Sequence, residues 1–128
     1  MQDQPSLIEL VNAVQTFLRS DAAPALSGQK AFHALVAANV LAIVERELSL
    51  APQGDEQELA RLKALLNMDG DLLSLNKELC QRIADGRLTM ETPGLIEHLQ
   101  RTTETKVAID QPRYSRYKRI LEKQNGRD

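Results

Sequence analysis

The feature that most constrains this chain of 128 residues is an apolar run over residues 31–44, interrupted only by His33 and Asn39. A helix turns by about 100° per residue, so a helix over this run has no polar face and must be surrounded by protein. The run is shorter than the roughly 20 apolar residues that cross a bilayer, and Glu45-Arg46-Glu47 follows it. The sequence therefore predicts a buried central helix over about residues 29–50.

Shorter amphipathic helices are predicted on both sides of the central helix. Ser6-Leu7-Ile8-Glu9 has the form of a capping box, in which serine and glutamate satisfy backbone amides at a helix start. Pro52-Gln53-Gly54 is expected to end the central helix. Apolar residues at helical spacing predict further helices that begin near four positions: Asp55, Asp71, Thr92 and Ser115.

These elements predict an all-α fold. The length fits a single domain over residues 1–128, built as a bundle of five to six helices around the buried central helix.

The charge of the chain limits its partners. A formal net charge of −2 and a pI of about 5.7 argue against a nucleic-acid-binding protein. The segment from about Arg113 carries six basic and two acidic residues, which leaves a net charge of −6 for the preceding part. This basic C-terminal segment is expected either to fold back on the acidic body or to dock on an acidic partner.

Cys80 is the only cysteine, so no intrachain disulfide can form and nothing indicates an oxidising compartment. Asp3, Pro5 and Glu9 stand where a secretory signal has a basic start and an apolar run. No segment is long enough to span a membrane. We therefore expect a cytoplasmic protein without membrane contact. Cys80 itself is predicted to be a buried, inert thiol.

The usual signatures of catalytic and metal sites are missing from the sequence, including phosphate loops, Cys-x-x-Cys pairs and His-Glu-x-x-His. Residues 67–71 look like part of a calcium loop, but Leu65 and Asn76 would stand at its first and last ligand positions, where an acidic residue and a bidentate glutamate are needed. No calcium site is therefore predicted there. Glu97 and His98 are adjacent and would point about 100° apart on a helix, so they are poorly placed to bind one metal ion together. We therefore predict that His98 is a surface residue. No metal site, cofactor or catalytic residue is predicted.

Polar residues on apolar stripes are the remaining candidates for function. His33, Asn39 and Arg46 lie on the central helix, and Lys106 lies on a predicted inward stripe with Asp110 four residues later. A buried unpaired amide costs about 1–3 kcal/mol and a buried unpaired charge costs more, so each needs a partner. They form either a structural network that fixes helix register or the wall of a ligand or partner site.

Small residues share another side of the central helix: Ala31, Ala34, Ala38 and Ala42. They allow close approach of a second helix, either within the chain or across a homodimer. If the short helices cover the central helix incompletely, a second copy or a partner is expected to close the remaining apolar patch.

Three stretches together resemble a small all-helical bacterial family classed as a domain of unknown function: Phe32 to Glu47, Leu75 to Ile83, and Lys106 to Tyr114. The last stretch reads Lys-x-x-x-Asp-x-Pro-Arg-Tyr, so Tyr114 joins the candidate polar residues, and Gln111 stands where the family would have asparagine. The resemblance implies the small subunit that accompanies an aminoglycoside-phosphotransferase-like kinase, often alongside an acyl-CoA dehydrogenase, in levulinate-type hydroxyacyl-CoA breakdown. The kinase would hold the ATP site, and the resemblance carries over no catalytic residue.

Two functional hypotheses follow. The first is a non-catalytic accessory subunit that binds and stabilises, or activates, a kinase-like partner phosphorylating a hydroxyacyl-CoA. The second is a stand-alone small enzyme or acyl/CoA-type ligand-binding protein that uses Lys106 and His33, since burial of a lysine frees its amine for base or nucleophile chemistry. A closed interior around Lys106, with no pocket, would count against the second hypothesis.

Overall fold

The computed structural model describes residues 4–126, which form helices and turns and contain no strand. The all-α class predicted from the sequence is confirmed. The helices are α1 (Leu7–Phe17), α2 (Ala23–Ala25), α3 (Gly28–Leu66), α4 (Leu72–Ala84), α5 (Leu95–Asp110) and α6 (Ser115–Asn125), and a π-helical segment (Leu18–Ala22) joins α1 to α2.

The chain divides into two compact units, residues 1–50 and residues 51–128. The first contains α1, α2, the start of α3 and all of the apolar run, and the second contains the rest of α3 with α4, α5 and α6. The single domain over residues 1–128 stays a prediction. Within residues 4–126, no helix is both long and apolar enough to span a membrane.

The predicted capping box at the start of α1 is present. The Ser6 hydroxyl accepts a hydrogen bond from the Glu9 backbone amide at 3.3 Å, and the Ser6 amide donates to a Glu9 carboxylate oxygen at 2.7 Å. The bond from the Ser6 amide, followed by the bond with its side chain, lowers the pKa of Glu9. Because both partners are local, the four-residue sequence was sufficient to specify this helix start.

The predicted end of the central helix before Pro52 is wrong, because α3 continues through Pro52 for 39 residues in all. Proline fixes φ near a helical value but removes a backbone donor, so the carbonyl four residues earlier loses its partner. Pro52 is exposed, so water can replace that donor. Gly54 follows in the same helix, and a Cβ atom built on it would lie only 2.8 Å from Thr105 Cγ2 on α5. The glycine therefore serves close helix packing in the second unit.

The prediction that residues 29–50 are buried on every side is also wrong. Ala34 and Ala38 are buried, at 8% and 0% exposure, whereas Phe32 and Val40 are 63% and 53% exposed. A run without a polar face does not show by its polarity which side turns inward. The alanine side turned inward because small side chains allow the closest backbone approach.

Leucines from three helices and the turn before α5 form the core of the second unit: Leu62, Leu66, Leu75, Leu79, Leu88 and Leu95. Leu62 and Leu75 are fully buried. Asp71 caps α4 by accepting a hydrogen bond from the Ser74 amide at 2.9 Å. The sequence places the start of α5 near Thr92, with that threonine as the expected cap, but Gly94, with φ of 86°, is the residue before the helix. The Thr92 hydroxyl instead accepts from the Thr89 amide in the preceding turn.

Candidate functional site

A surface groove lies between α5 and α6 in the second unit. Its main cavity has a volume of about 540 Å³. Six of its lining side chains lie on opposite walls: Ile96, Leu99, Thr103 and Val107 on α5, and Tyr117 and Ile120 on α6. Exposures of 38% for Ile96 and 40% for Leu99 leave much of this apolar wall bare.

A second cavity of about 240 Å³ adjoins the first and shares Thr103, Val107 and Tyr114 with it. Lys106 and Asp110 also line this second cavity. We call the two cavities together the α5–α6 groove. The structure thus places Lys106, Asp110 and Tyr114, three of the six candidate polar residues, around one end of the groove.

The predicted burial of Lys106 is wrong, because Lys106 and Asp110 are both exposed. No ion pair joins them among the residues that the structure describes. The inward face of α5 is instead set by Leu95, His98 and Ile109, which are buried. That face is rotated from the predicted stripe, so Lys106 lies at the groove rather than in the core.

The other three candidate residues lie in the first unit. His33 is exposed, and its ring lies 5.9 Å from the Phe32 ring, centroid to centroid, at a tilt of 52°. Asn39 is also exposed, and its side-chain oxygen accepts a hydrogen bond from Arg19 Nη2 at 2.9 Å. Arg46 is partly buried. Asn39 therefore has a structural partner, and a functional role for the three residues stays a prediction.

The prediction that His98 lies at the surface is wrong, because this histidine is buried and only 2% exposed. Its Nδ1 atom and the Arg61 Nε atom have no hydrogen-bond partner among the described residues. Arg61 Nη2 lies 3.5 Å from Thr102 Oγ1 in the same region. Burial, followed by the nearby Arg61 charge, lowers the pKa of His98, and the Glu58 charge opposes this shift. These effects favour the neutral imidazole of His98 over its charged form.

A sequence signal for His98 did exist. Leu95, His98, Thr102, Thr105 and Ile109 are spaced alternately by three and four residues, which keeps them on one side of a helix. All five are buried or partly buried. Counting this spacing across the whole helix, rather than following apolar side chains alone, would have placed His98 inward.

Two further predictions from the sequence concern a thiol and a metal site. Cys80 is exposed on α4, so the prediction of a buried thiol is wrong. Among residues 4–126, no group of three or more His, Cys, Asp or Glu side chains is arranged to hold a metal ion.

Two rows of apolar side chains are exposed in the first unit. On α1 the row is Leu7, Leu10, Val14 and Phe17, and on α3 it is Phe32, Val36, Val40 and Val44, all at least 39% exposed. We call these rows the α1 stripe and the α3 stripe. Neither contains a charged residue, and each exposes on the order of 400 Å², the size of the largest apolar patch on a typical monomer.

The alanine side of α3 differs from the α3 stripe. Ala38 is completely buried by its own chain and Ala34 is nearly so. The alanine side is therefore already covered, and it does not provide the free dimer seam considered from the sequence. The larger apolar side chains on the other side of the helix are the ones left bare.

A family model described as a domain of unknown function, DUF6285, matches residues 24–114. The matched range includes all of α3, α4 and α5, and all six candidate polar residues. No curated protein and no solved structure shows a significant match to the chain.

Proposed function

The chain belongs to the DUF6285 family through residues 24–114, and on that premise we propose that it is a non-catalytic accessory subunit. Its partner is a kinase-like phosphotransferase acting on a hydroxyacyl-CoA, in a setting that includes an acyl-CoA dehydrogenase. The chain binds this partner and stabilises or activates it. The partner holds the ATP site, which agrees with the lack of a phosphate-binding motif in the sequence.

The bare α1 and α3 stripes are the observation that supports this proposal. Each stripe offers on the order of 400 Å² of apolar surface, about half the area that each partner contributes to a standard protein interface. A surface that lacks charge and contains aromatic side chains has the composition of an interface core. Phe17 and Phe32, at 57% and 63% exposure, are its aromatic anchors.

Co-expression with an aminoglycoside-phosphotransferase-like kinase tests the proposal. ATP-dependent phosphorylation of a hydroxyacyl-CoA is measured with and without this chain. We expect the kinase to be soluble and active only when the chain is present. Equal kinase activity without the chain would remove the proposal.

Charged substitutions locate the docking surface in the same assay. Val36→Glu and Val40→Glu place carboxylates on the exposed α3 stripe, so each variant should keep its helix content and lose co-purification with the kinase. Leu73→Glu is the matched control, because Leu73 is 66% exposed on α4, outside both stripes. An effect of Leu73→Glu as large as that of Val36→Glu would show that the stripes are not the docking surface.

The alternative function is an acyl/CoA-type ligand-binding protein, and the α5–α6 groove is the observation that favours it. The main cavity of about 540 Å³ falls within the roughly 300–1,000 Å³ of ligand pockets. The enzymatic form of this hypothesis required a buried amine, and Lys106 is exposed. Calorimetric titration of the chain with an acyl-CoA tests the binding form, with Leu99→Gln as the variant that should abolish it.

A further inference from the structure

A row of basic side chains runs along α6 beside the α5–α6 groove. Arg116, Arg119 and Lys123 stand at i, i+3 and i+7, so they share one side of the helix. All three are exposed, and Arg116 lines the groove itself. We call them the basic row, and at about 1.5 Å per residue the row extends over roughly 10 Å.

No described carboxylate of the chain pairs with the basic row. The part of the chain before Arg113 has an excess of acidic residues, yet within residues 4–126 no carboxylate forms an ion pair with the row. Of the two expectations for the basic C-terminal segment, this favours docking on an acidic partner over folding back on the acidic body.

We call the α5 wall of the groove its floor, and this floor has the spacing of a helix-binding surface. It presents Ile96, Leu99, Thr103 and Val107, which are three or four residues apart and extend over roughly 16 Å. An amphipathic helix places its apolar anchors at the same intervals. This α5 side of the groove therefore fits about three turns of a second helix. Glu104 on α5 lines the same cavity, so an acidic flank of that helix would have to lie toward α6 rather than α5.

We propose that the α5–α6 groove binds an amphipathic helix of a protein partner, with its apolar side on the groove floor and an acidic flank against the basic row. Carboxylates at i, i+3 and i+7 of such a helix meet all three cations. A single-headed amphiphile, such as a fatty acid, places one anionic group at one end and leaves the rest of the row unpaired. The spread of the positive charge therefore favours the helix over a fatty acid.

A designed peptide pair tests this inference on the full chain. Both peptides are helical, carry leucines at i, i+3, i+7 and i+10, and bear either glutamates or lysines on one flank of the leucines. Fluorescence anisotropy measures their binding. We expect the acidic peptide to bind at least about tenfold more tightly than the basic one, with an affinity that falls as salt is added.

Charge reversal provides the decisive comparison. The triple variant Arg116→Glu, Arg119→Glu and Lys123→Glu should prefer the basic peptide by about the same factor, because the complementarity is inverted. Leu99→Gln should weaken both peptides, since it places an amide on the apolar floor. Lys77→Glu, at an exposed position on α4, is the control and should leave the preference unchanged.

Two results would overturn the inference. Equal binding of the acidic and basic peptides would show that the basic row does not select the partner. Saturable binding of decanoate that depends on Leu99, with no binding of either peptide, would make the groove a small-molecule site. Neither result bears on the accessory-subunit proposal, because the kinase assay relies on the α1 and α3 stripes, and Val36→Glu should not affect peptide binding.

Discussion

Replacement of Gly54 by alanine sets helix propensity against packing in the second unit. Glycine in a helix interior is about 1 kcal/mol less favourable than alanine, so the substitution alone should stabilise α3. However, the added Cβ atom would meet Thr105 Cγ2 at 2.8 Å. The Thr105 hydroxyl donates to the Arg101 carbonyl oxygen at 3.1 Å, so turning the methyl group away would break that hydrogen bond.

The magnitudes decide the expected sign. Overpacking of this kind costs about 1–3 kcal/mol, which exceeds the gain of about 1 kcal/mol from helix propensity. We therefore expect Gly54→Ala to lower the free energy of unfolding by about 1 kcal/mol. Thr105→Ser removes the obstructing methyl group but keeps the hydroxyl. In that background Gly54→Ala should raise the free energy of unfolding by about 1 kcal/mol, a coupling of about 2 kcal/mol.

Urea unfolding followed by far-UV circular dichroism measures the four chains of this double-mutant cycle. Ala60→Gly is the control, because Ala60 is an exposed position on the same helix. It should cost about 1 kcal/mol both in the wild-type chain and in the Thr105→Ser background. If Gly54→Ala stabilises the chain equally in both backgrounds, α3 and α5 do not approach closely at Gly54, and the glycine has no packing role there.

Three further predictions concern the core, the buried histidine and self-association. Leu75→Ala should lower the free energy of unfolding by about 2–5 kcal/mol, because Leu75 is fully buried, whereas Leu73→Ala should cost under about 0.5 kcal/mol in the same urea titration. The pKa of His98 is lowered from 6.5 in the folded chain, so below about pH 6.5 His98 binds a proton more readily in the unfolded chain. The free energy of unfolding should therefore be at its full value above about pH 6.5 and fall by at most about 1.4 kcal/mol per pH unit below it. Melting curves of His98→Gln should lack this slope between about pH 6.5 and 5, and an unchanged slope would refute the assignment to His98. If a second copy closes the α3 stripe, light scattering should give twice the chain mass, and Val36→Glu should give the monomer mass because a two-fold interface is altered twice. A monomer at high micromolar concentration would exclude the homodimer.

Several elements could be predicted from the sequence because their causes are local. The Ser6 and Glu9 capping box needs only four residues, and both of its bonds are present. The end of α5 at Asp110 follows from Pro112 two residues later. The Lys-x-x-x-Asp-x-Pro-Arg-Tyr pattern also indicated Lys106, Asp110 and Tyr114 as candidate polar residues, and these three line one cavity. Their role there stays a prediction.

Tertiary structure decided the rest. The apolar run over residues 31–44 has no polar side to mark the surface. Its alanines allow close packing, but only tertiary packing decided that Ala34 and Ala38 are buried while Phe32 and Val40 stay exposed. Residues that are adjacent in a helix differ by about 100° in direction, so a modest rotation of the predicted inward face of α5 changes which side chains are buried. The prediction placed Lys106 inward and His98 at the surface, whereas the structure has the reverse. The α5–α6 groove depends on how two separate helices meet, and helical periodicity describes only one helix at a time.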